Sequence, residues 1–213
     1  MKKYWFIAVS VFVLGTMIVF FIANQSVQAT IDEEAIMAYE SYRKDENPIV
    51  SLEIKGVGTM KIELFPEVAP NTVNNFVHLV QKGYFDGVGF HRIIENFMIQ
   101  GGQGAPLSCR IAGEFASNGI ANPLKHTRGV ISMARTRELN SATGQFFIVH
   151  QDSPHLDGQY AAFGALLEGF NFLDQIATTE TAAQDRPVSE IIINRATVDT
   201  KGIDYPEPDC YGS

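Results

Sequence analysis

Phe90-His91-Arg92-Ile93-Ile94-Glu95-Asn96-Phe97-Met98-Ile99-Gln100-Gly101-Gly102 is the stretch that decides the fold. Two apolar runs, residues 90–94 and 97–100, flank Glu95-Asn96, which has the composition of a tight turn. Both runs are rich in aromatic and branched residues and too short for helices, so they read as strands. Arg92 and Gln100 break the pattern, as long polar side chains among Phe90, Ile94, Phe97 and Met98. A cation beside aromatic surface is either a snorkelling surface residue or half of a binding site. A second stretch with the same mixture, Gln145-Phe146-Phe147-Ile148, shifts the reading toward a site.

Upstream of this stretch, Phe85-Asp86-Gly87 turns the chain, and Gly83 suits a helix stop. Val73, Phe76, Val77 and Val80 form an apolar stripe at helical spacing, and Pro70 suits the first turn of that helix. Before it, Val50, Leu52 and Ile54 alternate with polar residues, as do Met60, Ile62 and Leu64 after Gly56-Val57-Gly58. This predicts a β-hairpin with one buried face. Downstream, residues 103–126 make a long loop of glycine, proline, serine and asparagine, a length that is often functional. Strands are expected at 129–134, 145–149, 161–167 and 188–198, with a short helix over 170–177. Alternation sends one of Phe146 and Phe147 inward and the other outward, and a site needs the outward ring, Phe147. Many short strands with glycine-rich connections and only two helices predict an all-β fold with minor α, a closed β-barrel whose ends the helices cover.

The domain occupies residues 48–200 in this reading, with a tail over 201–213. The amino terminus is different in kind. Lys2 and Lys3 precede twenty uncharged, mostly apolar residues from Tyr4 to Ala23, and small residues at Val27 and Ala29 are spaced as in a signal-peptidase site. Residues 1–29 are therefore a signal peptide or a transmembrane anchor, and both readings stay open. The flanking charges, lysines before and Asp32-Glu33-Glu34 after, place the domain outside the cytoplasm, with membrane association through the amino terminus or secretion after cleavage near Ala29. Residues 30–47 are polar and acidic and read as a linker between membrane and domain.

Composition is that of one globular domain with appendages. The formal charge is −8, and the chain beyond residue 29 carries −10. That acidity argues against nucleic-acid binding. Cys109 and Cys210 are the only cysteines. Outside the cytoplasm they read as a disulfide joining the long loop to the tail or as two free thiols.

Five blocks together, Phe90–Ile94, Phe97–Gly102, Gly129–Ala134, Gln145–Ile148 and Leu156-Asp157-Gly158, resemble the cyclophilins in identity and order. Those are peptidyl-prolyl cis–trans isomerases. The resemblance runs from about Pro48 to Val198, and Lys125-His126-Thr127-Arg128-Gly129 and Asn140-Ser141-Ala142-Thr143 bring it nearest the bacterial branch. It implies an eight-stranded antiparallel barrel capped by two helices, a site on its outer face, and action as a monomer on proline-containing polypeptides. It also implies Arg92, Phe97 and Gln100 as catalytic residues, with Met98, Ala134, Arg135, Gln145, Phe147, His155, Leu156 and Tyr160 around the substrate. Three positions depart from the common family pattern. His155 stands where many members have tryptophan, which puts binding of the cyclic peptide cyclosporin in doubt. Tyr160 stands where many have histidine, and Arg135 where many have asparagine, adding positive charge at the groove edge.

The chemistry can be argued from the residues. Rotation about X-Pro makes and breaks no bond, so neither cofactor nor metal is required. The site must hold proline and stabilise the twisted state over both planar ones. In that state the nitrogen regains a lone pair, and a guanidinium that never loses its charge can donate to it. The function expected is isomerisation of X-Pro bonds in exported or surface proteins as they fold. The alternative is a binding or chaperone module of the same fold with little turnover. His150, Asp152 and His155 match no well-defined metal spacing. Ser132 or Ser141 with a histidine lacks the G-x-S-x-G elbow of a hydrolase.

Overall fold

The computed structural model describes residues 26–212, so the signal or anchor reading of residues 1–29 lies almost wholly outside the described residues. The chain divides into two compact units after Met37. Residues 26–38 are helical (α1). Among the described residues, no helix is long and apolar enough to cross a membrane.

The second unit is built on one antiparallel sheet. Its strands are β1 (Ile49–Ile54), β2 (Gly58–Leu64), β3 (Phe90–Ile94), β4 (Met98–Gly101), β5 (Val130–Met133), β6 (Phe146–Val149), β7 (Ala162–Glu168) and β8 (Ile193–Asp199). They lie in the order β3-β4-β6-β5-β7-β2-β1-β8. Helix α2 (Pro70–Gln81) packs on β8 and helix α3 (Phe170–Ala177) on β2. The alternating residues Val50, Leu52, Met60, Ile62 and Leu64 are buried, as their period of two requires. Phe76 of α2 meets the sheet through Phe146 and Phe163, at ring separations of 5.4 and 5.1 Å, and packs on Phe85 of the following turn at 4.9 Å.

The closed barrel expected from the sequence is corrected to an open half-barrel. The terminal strands β3 and β8 share no ladder. Their neighbouring segments touch through an isolated bridge, Gly89 with Ile192, and bonds such as Phe90 N–H to the Ile191 carbonyl at 2.9 Å. A register shift between Phe90 and Arg92 bends β3 away from regular pairing. Such a bulge leaves one residue unpaired and twists the strand locally.

Part of the stretch expected to be linker is packed against the sheet. Tyr39 is fully buried and donates its hydroxyl to the Leu166 carbonyl at 2.6 Å. Buried Glu63 of β2 accepts from Asn47 Nδ2 at 2.8 Å, Lys44 N–H at 2.9 Å and Arg43 Nε at 3.1 Å. Buried Glu114 in the long loop does a similar service for α2. Its carboxylate accepts the N–H groups of Asn71 and Thr72 at 3.2 and 2.7 Å. Those are orphan donors of a helix whose N-cap, Ala69, has no capping side chain.

Cys109 and Cys210 are joined in a disulfide. The tail beside it is tied down, with Asp209 N–H donating to Asn71 Oδ1 at 2.8 Å and Tyr211 N–H to the Arg110 carbonyl at 2.6 Å.

Candidate active site

Three strands set the floor of the site. In the ladders Arg92 pairs with Gln100, and Gln100 with Phe147. Residues opposite one another in a ladder share a face, so β3, β4 and β6 present these three side chains in a row. Met98 joins them two residues along β4. Phe146 lies in the ring cluster of the core and Phe147 faces the other way, as the pleat demands.

Above this row lies a cleft of about 150 Å³, lined by Arg92, Phe97, Met98, Gln100, Ala134, Arg135, Phe147, Leu156 and Tyr160. Met98, Phe147 and Leu156 are buried, giving an apolar floor. Of the residues the sequence singled out, Gln145 and His155 do not line the cleft but brace it. Gln100 Nε2 donates to Gln145 Oε1 at 3.0 Å, and among the described residues Gln100 Oε1 has no donor, so it can accept. The exposed ring of His155 lies 5.4 Å from the ring of Phe97. Phe147 meets Tyr160 edge-on at 5.8 Å. Arg135 donates from Nε and Nη2 to the Gln159 carbonyl at 3.2 and 2.8 Å. Its guanidinium covers the Tyr160 ring at 4.6 Å. Its charge therefore sits at the rim with its donors engaged by the protein itself.

Arg92 is held differently. Its Nε donates to Asp185 Oδ2 at 3.2 Å, and among the described residues its terminal N–H groups have no protein partner. Asp185 was not legible in the sequence, because it is a loop residue 93 positions away.

A buried group supports Phe147 from behind. The His126 ring stacks on it at 6.0 Å and 18°. Asp157 accepts from His126 Nδ1 at 3.1 Å, and His126 Nε2 lies 3.0 Å from Ser132 Oγ. A carboxylate only accepts, so the proton sits on Nδ1 and Nε2 accepts from the serine hydroxyl. The order Ser-His-Asp resembles a hydrolase triad, but Ser132 is fully buried and its oxygen cannot meet a substrate. Burial lowers the His126 pKa against the pull of Asp157. Burial pushes the Asp157 carboxyl up, but hydrogen bonds from the His126 backbone and ring, with Lys125 nearby, outweigh it and hold it below the usual carboxylate range. A histidine with a depressed folded pKa binds its proton more readily in the unfolded chain, so stability is intact above about pH 6.5 and falls as pH drops below it. His91 is lowered too, by burial and then by Arg186 and Arg92, and adds with the same sign. The melting temperature is expected to fall between pH 7.5 and 5.5, and His126→Gln to flatten that slope; an equal slope in the variant would count against this account.

The residues His150 and Asp152 serve structure. His150 Nδ1 accepts the Asn96 N–H at 2.9 Å, and Nε2 contacts Asp174 at 3.1 Å. Asp152 accepts the Arg128 N–H at 2.9 Å. No group of three or more metal-ligating side chains occurs among the described residues.

The half-barrel carries an apolar cleft on its outer face, edged by the anchored guanidiniums of Arg92 and Arg135 and by the braced amide of Gln100, a lining that suits a short apolar peptide segment. Residues 49–198 match the model of the family described as cyclophilin type peptidyl-prolyl cis-trans isomerase/CLD. The peptidyl-prolyl cis-trans isomerase CYP18-1 of Arabidopsis thaliana is 40% identical over 146 residues, covering 67% of this chain and 91% of that one. The peptidyl-prolyl cis-trans isomerase-like 1 of Aspergillus fumigatus is 40% identical over 150 residues, covering 68% and 92%. Among solved structures, a cyclophilin type isomerase of Cryptosporidium parvum, crystallised in the presence of the dipeptide Ala-Pro, matches with a TM-score of 0.64. It is 31% identical and covers 71% of this chain and 98% of that one. The chain belongs to the cyclophilin family, and its activity is that of a cyclophilin-type peptidyl-prolyl cis–trans isomerase.

Proposed function

We propose that this isomerase acts on X-Pro bonds of exported or surface proteins as they fold, with Arg92 as the donor to the rotating nitrogen. The observation that carries the assignment is the setting of Arg92: side-on anchorage to Asp185, terminal N–H groups unpartnered among the described residues, and an apolar cleft beside them. Amide resonance sets a barrier of roughly 18–20 kcal/mol. Proline enters over Met98, Phe147 and Leu156 with Phe97 as a wall, and the free Gln100 carbonyl accepts a substrate backbone N–H. As the bond twists, the nitrogen gains a lone pair that a guanidinium N–H can meet. One charge-assisted hydrogen bond of ~1.5–3 kcal/mol supplies about one to two decades of rate. The rest comes from anchoring the flanking backbone and from seating the proline ring on the preorganised apolar floor of the cleft. The Ala-Pro dipeptide in crystals of the Cryptosporidium relative supports proline peptides as the substrate class.

In a protease-coupled assay the native chain is expected to isomerise an Ala-Pro test peptide orders of magnitude faster than the thermal background. Tight binding without acceleration would replace this reading by that of a chaperone module. The charge of Arg135 at the rim leads us to expect a mild preference, about twofold, for Glu-flanked over Lys-flanked peptides at low salt. Equal turnover of the two would remove that expectation.

The extracytoplasmic setting is supported by the basic-then-apolar amino terminus and by the disulfide, a bond that persists in oxidising compartments. Amino-terminal sequencing distinguishes an anchor that retains the start of the chain from cleavage after Ala29, and recovery in the cytoplasmic fraction would overturn the setting. We place the enzyme in the bacterial branch on Lys125–Gly129 and Asn140–Thr143. We expect it to act as a monomer and, with His155 in place of an indole donor, to bind cyclosporin weakly.

A further inference from the structure

We propose that Asp185 is the positioning residue of Arg92: by accepting Nε–H it fixes the guanidinium plane and turns the terminal N–H groups toward the substrate. The inference rests on the reading of Arg92 as donor to the twisted nitrogen. An arginine side chain has many rotamers, and a long cation at a cleft edge points at one atom only if something holds it. Here the holder is a single carboxylate oxygen 3.2 Å from Nε. Binding at Nε from the side leaves both terminal nitrogens available, whereas a fork-to-fork pairing would engage a terminal nitrogen as well.

The loop that carries Asp185 is shaped for this placement. Residues 180–188 fold back on themselves, with Val188 N–H to the Glu180 carbonyl at 2.9 Å and Ala182 N–H to the Arg186 carbonyl at 2.7 Å. At the tip, Gln184 and Asp185 have φ of +64° and +59°. Two successive non-glycine residues in the left-handed region are strained, and such strain persists where the surrounding structure holds it in place. Stability does not account for the contact. The two side chains are 42% and 45% exposed, and exposed ion pairs contribute little. What the pair does accomplish is orientation at the edge of the cleft.

The test uses the full chain with Asp185→Ala and Asp185→Asn, followed by kinetics, thermal melting and ¹⁵N NMR of the Arg92 Nε–H. Asp185→Ala is expected to lower kcat about three- to tenfold, with KM within about twofold, because the lost interaction orients a group used in the transition state; melting should fall by only a few degrees, the cost of alanine at φ of +59°. The Arg92 Nε–H signal should lose its protection from exchange. Asn still offers an oxygen to Nε, so Asp185→Asn should recover most of kcat. Arg92→Ala combined with Asp185→Ala should be no worse than Arg92→Ala alone, the non-additivity expected of residues acting as a unit. A kcat within about twofold of native in Asp185→Ala, or additive losses in the double variant, would overturn the proposal. If Arg92→Ala itself retains full activity, the reading of Arg92 fails and this one with it. The Nε–H signal still reports separately whether Asp185 holds the side chain.

Discussion

Arg92→Ala is expected to lower kcat/KM for an Ala-Pro peptide by about tenfold or more, which at ~1.4 kcal/mol per decade is the value of one charge-assisted hydrogen bond. The loss should fall on kcat, since the bond strengthens only as the nitrogen becomes pyramidal. Melting should change little, because Arg92 is 42% exposed and its ion pair with Asp185 lies at the surface. Arg92→Lys should recover only part of the rate. A lysine keeps the charge but lacks the planar fork that can spend Nε on Asp185 and still present terminal donors to the substrate. A variant within twofold of the native enzyme would move the chemistry to the apolar floor alone.

The second large effect concerns the staple. Cys109 and Cys210 are 101 positions apart, so their bond closes a loop that contains β5 to β8 and α3. Removing it frees a long segment of the unfolded chain, and Cys109→Ser with Cys210→Ser is expected to cost about 2–5 kcal/mol. For a chain of this size that is a drop in melting temperature on the order of 10 °C. Activity at low temperature should survive, because neither cysteine lines the cleft. Denaturation midpoints unchanged by the double substitution would show that Asp209 and Tyr211 hold the tail without the bond.

The contrast between these two predictions shows where sequence patterns inform. Arg92 stood out because a long polar residue interrupts a short apolar strand. The cysteines offered only a count and a compartment, and their pairing stayed open until the loop and the tail were seen side by side. Glu114 and Asp185 offered nothing at all. Each is an acidic residue in an irregular segment, where no period distinguishes a capping or anchoring carboxylate from a solvated one.

The strands and both domain helices follow from hydrophobic period, which is a local property. Residues two apart share a strand face, so Met98 with Gln100 on β4, and the opposite directions of Phe146 and Phe147 on β6, needed no knowledge of the rest of the chain. The register that sets Arg92 against Gln100 and Gln100 against Phe147 was decided only in three dimensions. So were the open seam between β3 and β8, the burial of Tyr39 from a stretch that reads as linker, and the reach of Asp185 to Arg92. These depend on the path of loops and on pairings between distant segments, whose free energies are set by geometry that nearest neighbours in the chain do not encode.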